Sequence, residues 1–226
     1  MGRDSKTGRR RRARGSLSRE EIIAAAVALA DREGLDGLSM PRLARALNCG
    51  VMSLYGHVRN KQDLLEAVGG SVLAGITVPE GAADDWQGRV VGFMLGLRQA
   101  LLAHPSLAGL LARQGLGHPS VFAHLEQCLG ILRAAGFGPE AAARAFYALL
   151  TYTLGFVVWE AARNVPGANG HDDGGYAGAW QMLVDGLPAS RFPVVHALRE
   201  PLATVASEAQ YEFGLAALQR GLQSAP

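Results

Sequence analysis

Apolar residues recur at three- and four-residue spacing along most of the chain, and no segment alternates long enough to read as a strand. The first helix opens at Leu17-Ser18-Arg19-Glu20-Glu21-Ile22. Ser18 is placed to cap the Glu21 amide while Glu21 reaches back, and Leu17 to staple onto Ile22. Ile22, Ile23, Ala26, Val27 and Ala30 then share one face until Gly34 stops the helix. Ser39 caps a short helix whose Leu43, Ala44 and Leu47 face inward, with Pro41 tolerated in the first turn. Asn48-Cys49-Gly50 is a tight turn, residues 51–58 form a second short helix, and Asn60 with Asp63 caps a longer one to about residue 76. Two short helices joined by so brief a turn make a helix-turn-helix pattern.

Beyond a loop at 77–83 the pattern stays helical. Asp84 and Asp85 open a helix to His104, where Pro105 interrupts it, and a short helix follows to about Arg113. Pro119 and Pro139 suit the first turns of helices ending near Gly136 and Asn164. Residues 165–175 carry four glycines and read as the least structured stretch. One short helix spans about 176–186, and a last one runs over 200–222 with Leu202, Val205, Ala209, Phe213 and Ala217 along one face. The predicted class is all-α.

Composition narrows the function. The chain has 226 residues, 49% hydrophobic and 19% charged, enough to bury a core. Its two cysteines, Cys49 and Cys128, exclude a disulfide framework and suit a reducing cytoplasm. The most apolar run, 145–159, is shorter than the roughly 20 residues a membrane span needs, so no membrane partner is expected. The net charge of +2 hides an asymmetry: residues 1–65 carry 13 Lys/Arg against 7 Asp/Glu, and the remainder 9 against 13. Residues 1–16 read as a disordered basic arm, with Arg9, Arg10, Arg11, Arg12 and Arg14 at its centre. Such a block seeks a polyanion by releasing counterions from phosphates, and a helix-turn-helix follows it directly. A solvated tail without a partner is the alternative.

At residues 17–65 the chain resembles the tetracycline repressor family of bacterial transcriptional regulators. The resemblance rests on the run from Leu38 to Leu47 and on Ser53-Leu54-Tyr55-Gly56-His57-Val58-Arg59-Asn60-Lys61 before Leu64-Leu65. A weaker likeness continues through Trp86, the run Ala100-Leu101-Leu102-Ala103-His104, and Tyr152-Thr153-Leu154-Gly155. It implies a DNA-binding domain at 17–64 and a ligand-binding, dimerising domain at 65–226. In such a motif the second helix enters the major groove by its N-terminus. Val51, Met52 and Ser53 are then the candidates for reading bases, with Ser39, Met40 and Arg42 beside them. Tyr55, His57 and Lys61 match family positions that grip phosphates, although Tyr55 and Met52 also suit packing. A base-reading arginine of the tetracycline repressors falls at Pro41 and a glutamine at Val51, so the operator should differ, with apolar contact to thymine methyls as the substitute.

The drug-binding chemistry of those repressors is also replaced. By alignment, the histidine that holds the drug's magnesium falls at Leu111, an asparagine at Phe93, a second histidine at Thr77 and a carboxylate at Trp159. Magnesium requires oxygen ligands. The expectation is an apolar pocket with no metal and no cofactor, lined by Phe93, Leu97, Leu111, Gln114, Phe122, Tyr147, Thr151 and Trp159, for a small hydrophobic effector. The helices at 139–164 and 200–222 carry apolar stripes with small residues, which suits a homodimer on a palindromic double-stranded operator. No H-E-x-x-H, G-x-x-x-x-G-K or G-x-S-x-G occurs, so no catalytic residues are expected. The alternative function is a helical carrier or sensor of a small molecule without specific DNA binding.

Overall fold

The computed structural model describes residues 17–82, 85–114, 119–163 and 175–223. The arginines of the basic arm lie outside them. All described secondary structure is helical.

Three short-range devices build the N-terminal head. α1 (Arg19–Gly37) opens with the expected capping box, Ser18 and Glu21 each satisfying the other's backbone amide at 3.1 Å. Gly34 breaks its helical geometry with φ +72, a conformation that disfavours side chains with a Cβ. α2 (Met40–Ala46) and α3 (Val51–Tyr55) follow, separated by a turn in which Asn48 takes φ +53. Ser39 occupies the N-cap of α2, but its side chain makes no capping bond there. The second short helix stops at Tyr55 rather than 58, giving way to a turn before Asn60 caps α4 (Lys61–Ala74) through the Asp63 amide at 2.9 Å. Ile22, Leu38, Leu43, Leu54 and Leu64 are fully buried between these helices, each worth about 1.5–3 kcal/mol.

The body begins with a wide, π-helical turn at Gln87–Val91 that runs into α5 (Gly92–Ala103), with Asp85 accepting the Gly88 amide at 2.9 Å. α6 (Pro105–Gln114), α7 (Pro119–Ala134) and α8 (Pro139–Arg163) follow as expected. Then come α9 (Gly175–Asp185), α10 (Pro193–Ala197), α11 (Arg199–Ala203) and α12 (Glu208–Gln223). The last helix expected from sequence is therefore two. Thr204 turns its hydroxyl onto the Pro201 carbonyl at 3.0 Å, and Ser207 receives the Gln210 amide at 3.3 Å, so a stop and a new start interrupt the pattern.

α8 is the central post, contacted by α5, α6, α7 and α12. It is also long and apolar enough to cross a membrane, but a core helix passes the same test, and Leu149, Val157 and Thr153 are wholly buried in the protein. Head and body share one continuous apolar cluster. α4 supplies the link, packing on α1 at one end and on α5, α6 and α7 along the rest. A second link joins α1 to the α5–α6 corner, where His104 Nδ1 lies 2.8 Å from Asp31 Oδ2.

Candidate functional site

On the head, the short α3 presents an outward edge. Its inward side is anchored by Leu54, which has no exposure. The neighbours on its other faces are then forced outward: Met52 is 80% exposed, Tyr55 44%, and Ser53 is exposed. An 80% exposed methionine at the start of a buried-anchor helix leaves most of its apolar surface open in this chain. Val51 is half-buried at the same end, and Lys61 is exposed at the first turn of α4. Tyr55 thus stands outside the core, while one expected base-reader does not. Met40 is 6% exposed and belongs to the apolar cluster, because α2 turns that position toward α1 and the leucines of the head. Its side chain is unavailable to DNA. Ser39 is half-buried, and exposed Arg42 holds Glu33 Oε2 at 2.5 Å.

The turn between α3 and α4 is clamped by ion pairs and hydrogen bonds to Asp63 and His57. Arg19 Nη1 donates to the His57 carbonyl at 2.9 Å, while its Nη2 lies 3.6 Å from Asp63. The Arg59 amide donates to Asp63 at 2.8 Å and its guanidinium at 3.3 Å. These bonds from Arg59, backbone first, and the nearby Arg19 charge hold the Asp63 carboxyl below the usual carboxylate range, against the opposing effect of burial. The clamp fixes where His57 and Lys61 stand relative to α3. Arg45, one turn beyond Arg42 on α2, and Arg59 are further exposed cations.

In the body, Phe93, Leu97 and Leu111 come together around a cavity of about 30 Å³. Leu73 from the last turn of α4, Phe146 and Leu150 from α8, and His124 from α7 complete much of its wall. Among the described residues, the other expected lining residues do not join it. Phe122 and Tyr147 are 56% and 52% exposed, and Thr151 is exposed, because α7 and α8 turn these positions away from the cavity. Trp159 is half-buried, with the Arg163 guanidinium 3.7 Å from its ring centre and Tyr176 beside it. The Gln114 side chain lies outside the described residues. His124, Phe146 and Leu150 were missed; helical spacing marks them as inward, but not which inward residues border a void.

Tyr147, Thr151, Gly155 and Val158 instead form an exposed stripe along α8. Ala209, Phe213 and Ala217 form another on α12, with Phe213 65% exposed. The core face of α12 is the opposite one, carrying Tyr211 and Leu215.

Comparison with known proteins agrees with both halves. Residues 22–68 match the family of bacterial regulatory proteins called the tetR family, and residues 78–225 match the tetracyclin repressor-like C-terminal domain. The class A tetracycline repressor from transposon 1721 of Escherichia coli is 33% identical over 91% of this chain and 90% of its own length. An HTH-type transcriptional regulator of Saccharopolyspora erythraea is 36% identical over 62% of this chain; the match spans 60% of that relative. The TetR family protein ActR of Streptomyces coelicolor, solved in complex with actinorhodin, superposes with a TM-score of 0.79 at 31% identity, covering 93% of this chain and 97% of that one. The chain belongs to the TetR family of helix-turn-helix, DNA-binding transcriptional repressors and is not an enzyme.

Proposed function

We propose that this protein is a homodimeric repressor of the cytoplasm, released from a palindromic operator by a small, largely hydrophobic effector that needs no magnesium. The observation that carries the DNA half is the outward edge of α3, with Met52 80% exposed beside exposed Ser53 and Tyr55. In a helix-turn-helix this edge enters the major groove. Val51, Met52 and Ser53 meet base edges there, and apolar contact with thymine methyls supplies part of the readout. Exposed Arg42 stands beside them, Tyr55, His57 and Lys61 grip phosphates, and the arginines at 9–12 and 14 track the backbone or the minor groove. Met40 plays no part in this reading.

The body supports an effector role. Among the described residues its cavity walls are apolar apart from one imidazole, a poor match for a cation that wants oxygen ligands. The ActR relative holds actinorhodin, which favours a comparable role for this body. About 30 Å³ suffices for roughly one water, whereas drug-sized ligands occupy about 300–1,000 Å³. An effector must therefore push the walls apart. Leu73 stands on one of those walls and on α4, so the push reaches the head. The stripes on α8 and α12 suit a second copy of the chain, giving the two heads that a palindrome requires.

Fluorescence anisotropy with DNA from upstream of the gene, competed by random DNA at physiological salt, tests this reading. Binding that survives competitor at two protomers per site, or a multiple, supports it. Only salt-sensitive, sequence-blind binding, together with an empty genomic selection for bound fragments, overturns it.

A further inference from the structure

His124 stands where the cavity meets the end of α4. Its Nε2 lies 2.7 Å from the carbonyl oxygen of Ile76, two residues beyond that helix. A carbonyl only accepts, so in the neutral imidazole Nε2 carries the proton and Nδ1 is left as an acceptor. Nδ1 is buried and has no hydrogen-bond partner among the described residues. The ring itself lines the cavity, and Phe93 stacks on it with centroids 5.1 Å apart and planes 28° apart. The remaining described side chains of the wall are Leu, Val and Phe, none of which offers a donor. A buried acceptor in such surroundings is a standing cost that an incoming donor removes.

We infer that His124 is both the polar recognition point of the cavity and the contact that passes occupancy to the reading head: the effector is an apolar compound bearing a hydrogen-bond donor such as a hydroxyl, which pairs with Nδ1 while Nε2 holds Ile76. This rests on the cavity being the effector seat. The two bonds on one ring reinforce each other, since donation into Nδ1 makes Nε2–H a more polar donor. Leu73, three residues before Ile76, lines the same cavity. The ligand's bulk and its donor therefore act on the same end of α4, one by displacing a side chain and the other by fixing a backbone carbonyl.

A matched pair of probes tests this on the full chain. 1-Naphthol and 1-methoxynaphthalene share a body and differ in the hydroxyl donor. Wild type should bind the naphthol at least about tenfold more tightly, because the ether leaves Nδ1 unpaired. His124→Phe should bind the two within about twofold and still bind DNA, and naphthol should no longer weaken that DNA complex. His124→Gln should restore the preference, since an amide carries both a donor and an acceptor. Nitrogen NMR of the ring gives a readout independent of variant folding: in the free protein Nδ1 should resonate as an unbonded pyridine-type nitrogen and move upfield with naphthol alone. Equal affinity of both probes for wild type overturns the donor requirement and leaves the effector cavity standing. Binding of neither overturns the cavity reading as well. An Nδ1 already hydrogen-bonded in the free protein means that water satisfies it, and the inference fails.

Discussion

The Arg98 guanidinium and the Glu160 carboxylate meet through two parallel hydrogen bonds, Nε to Oε2 at 3.1 Å and Nη2 to Oε1 at 2.8 Å, with side chains only 6% and 5% exposed. The pair joins α5 to α8, and Tyr211 brings in α12: its ring centre lies 5.1 Å from the guanidinium, and its hydroxyl donates to the Met94 carbonyl at 3.1 Å. Burial pushes that hydroxyl up to about 12, so it remains a donor at any working pH. Removing one member of a buried ion pair strands the other charge. Glu160→Ala leaves Arg98 only the exposed Glu208, 3.9 Å away, and should therefore cost up to about 3–5 kcal/mol in urea unfolding. The double change Arg98→Met, Glu160→Leu should recover most of that loss; a double variant as unstable as the single would refute the stranded-charge account.

Gly214 on α12 faces Tyr152 on α8 so closely that a Cβ there would overlap the phenol oxygen, which donates to the Tyr211 carbonyl at 3.0 Å. Gly→Ala in an unobstructed helix stabilises by up to about 1 kcal/mol. Here Gly214→Ala should lower stability, by about 1–3 kcal/mol, because the ring must leave its place. Thermal unfolding reads the sign directly.

Asp63 makes the head acid-sensitive. Its carboxyl is held below the value it has in the unfolded chain, chiefly by the Arg59 amide. Stability from this source is present above the unfolded carboxylate value, near 3.9, and is lost as pH falls through the lower folded value. Acid titrations of stability should show a shallower loss below about pH 4 in Asp63→Asn than in wild type. Parallel curves for the two proteins would remove the Asp63 clamp as the cause.

DNA binding should separate two kinds of contact. Lys61→Ala, as a phosphate contact, should reduce the salt slope of log affinity by up to about 0.9 and weaken all sequences alike. Deleting residues 1–14 should flatten the slope further, by up to about 0.9 per lost phosphate contact. Met52→Ala should leave the slope unchanged and relax discrimination at one base position. A salt slope unaltered by the deletion would sink the role given to the arm.

Tetracycline with magnesium should not release this protein from DNA, even though the class A tetracycline repressor is 33% identical. Leu111, Phe93 and Trp159 offer no ligand for the drug's cation. Release at micromolar drug would refute the magnesium-free cavity.

Phe213→Asp should convert the protein to monomers in sedimentation, since it places a charge in the centre of the exposed stripe on α12. A dimer that persists would move the interface elsewhere.

Helix existence, the Ser18 and Asn60 caps, the helix-turn-helix and the class were legible along the chain because each depends on neighbours within a turn or two: a hydroxyl or amide oxygen three residues from the amide it caps, apolar residues at helical spacing, glycine where φ turns positive. Leu43 and Ala44 announced themselves as core by the same local rule. What the tertiary structure alone decided is which way a helix with apolar residues on more than one side is turned. Tyr147 and Thr151 face outward on α8 and Phe213 outward on α12, whereas Met40 turns inward on α2, because the neighbouring helices claim one face and leave the other. The unpartnered Nδ1 of His124 belongs to the same class of fact: whether a buried nitrogen finds a partner depends on α4 and α5 packing against α7, and spacing along α7 carries no trace of it.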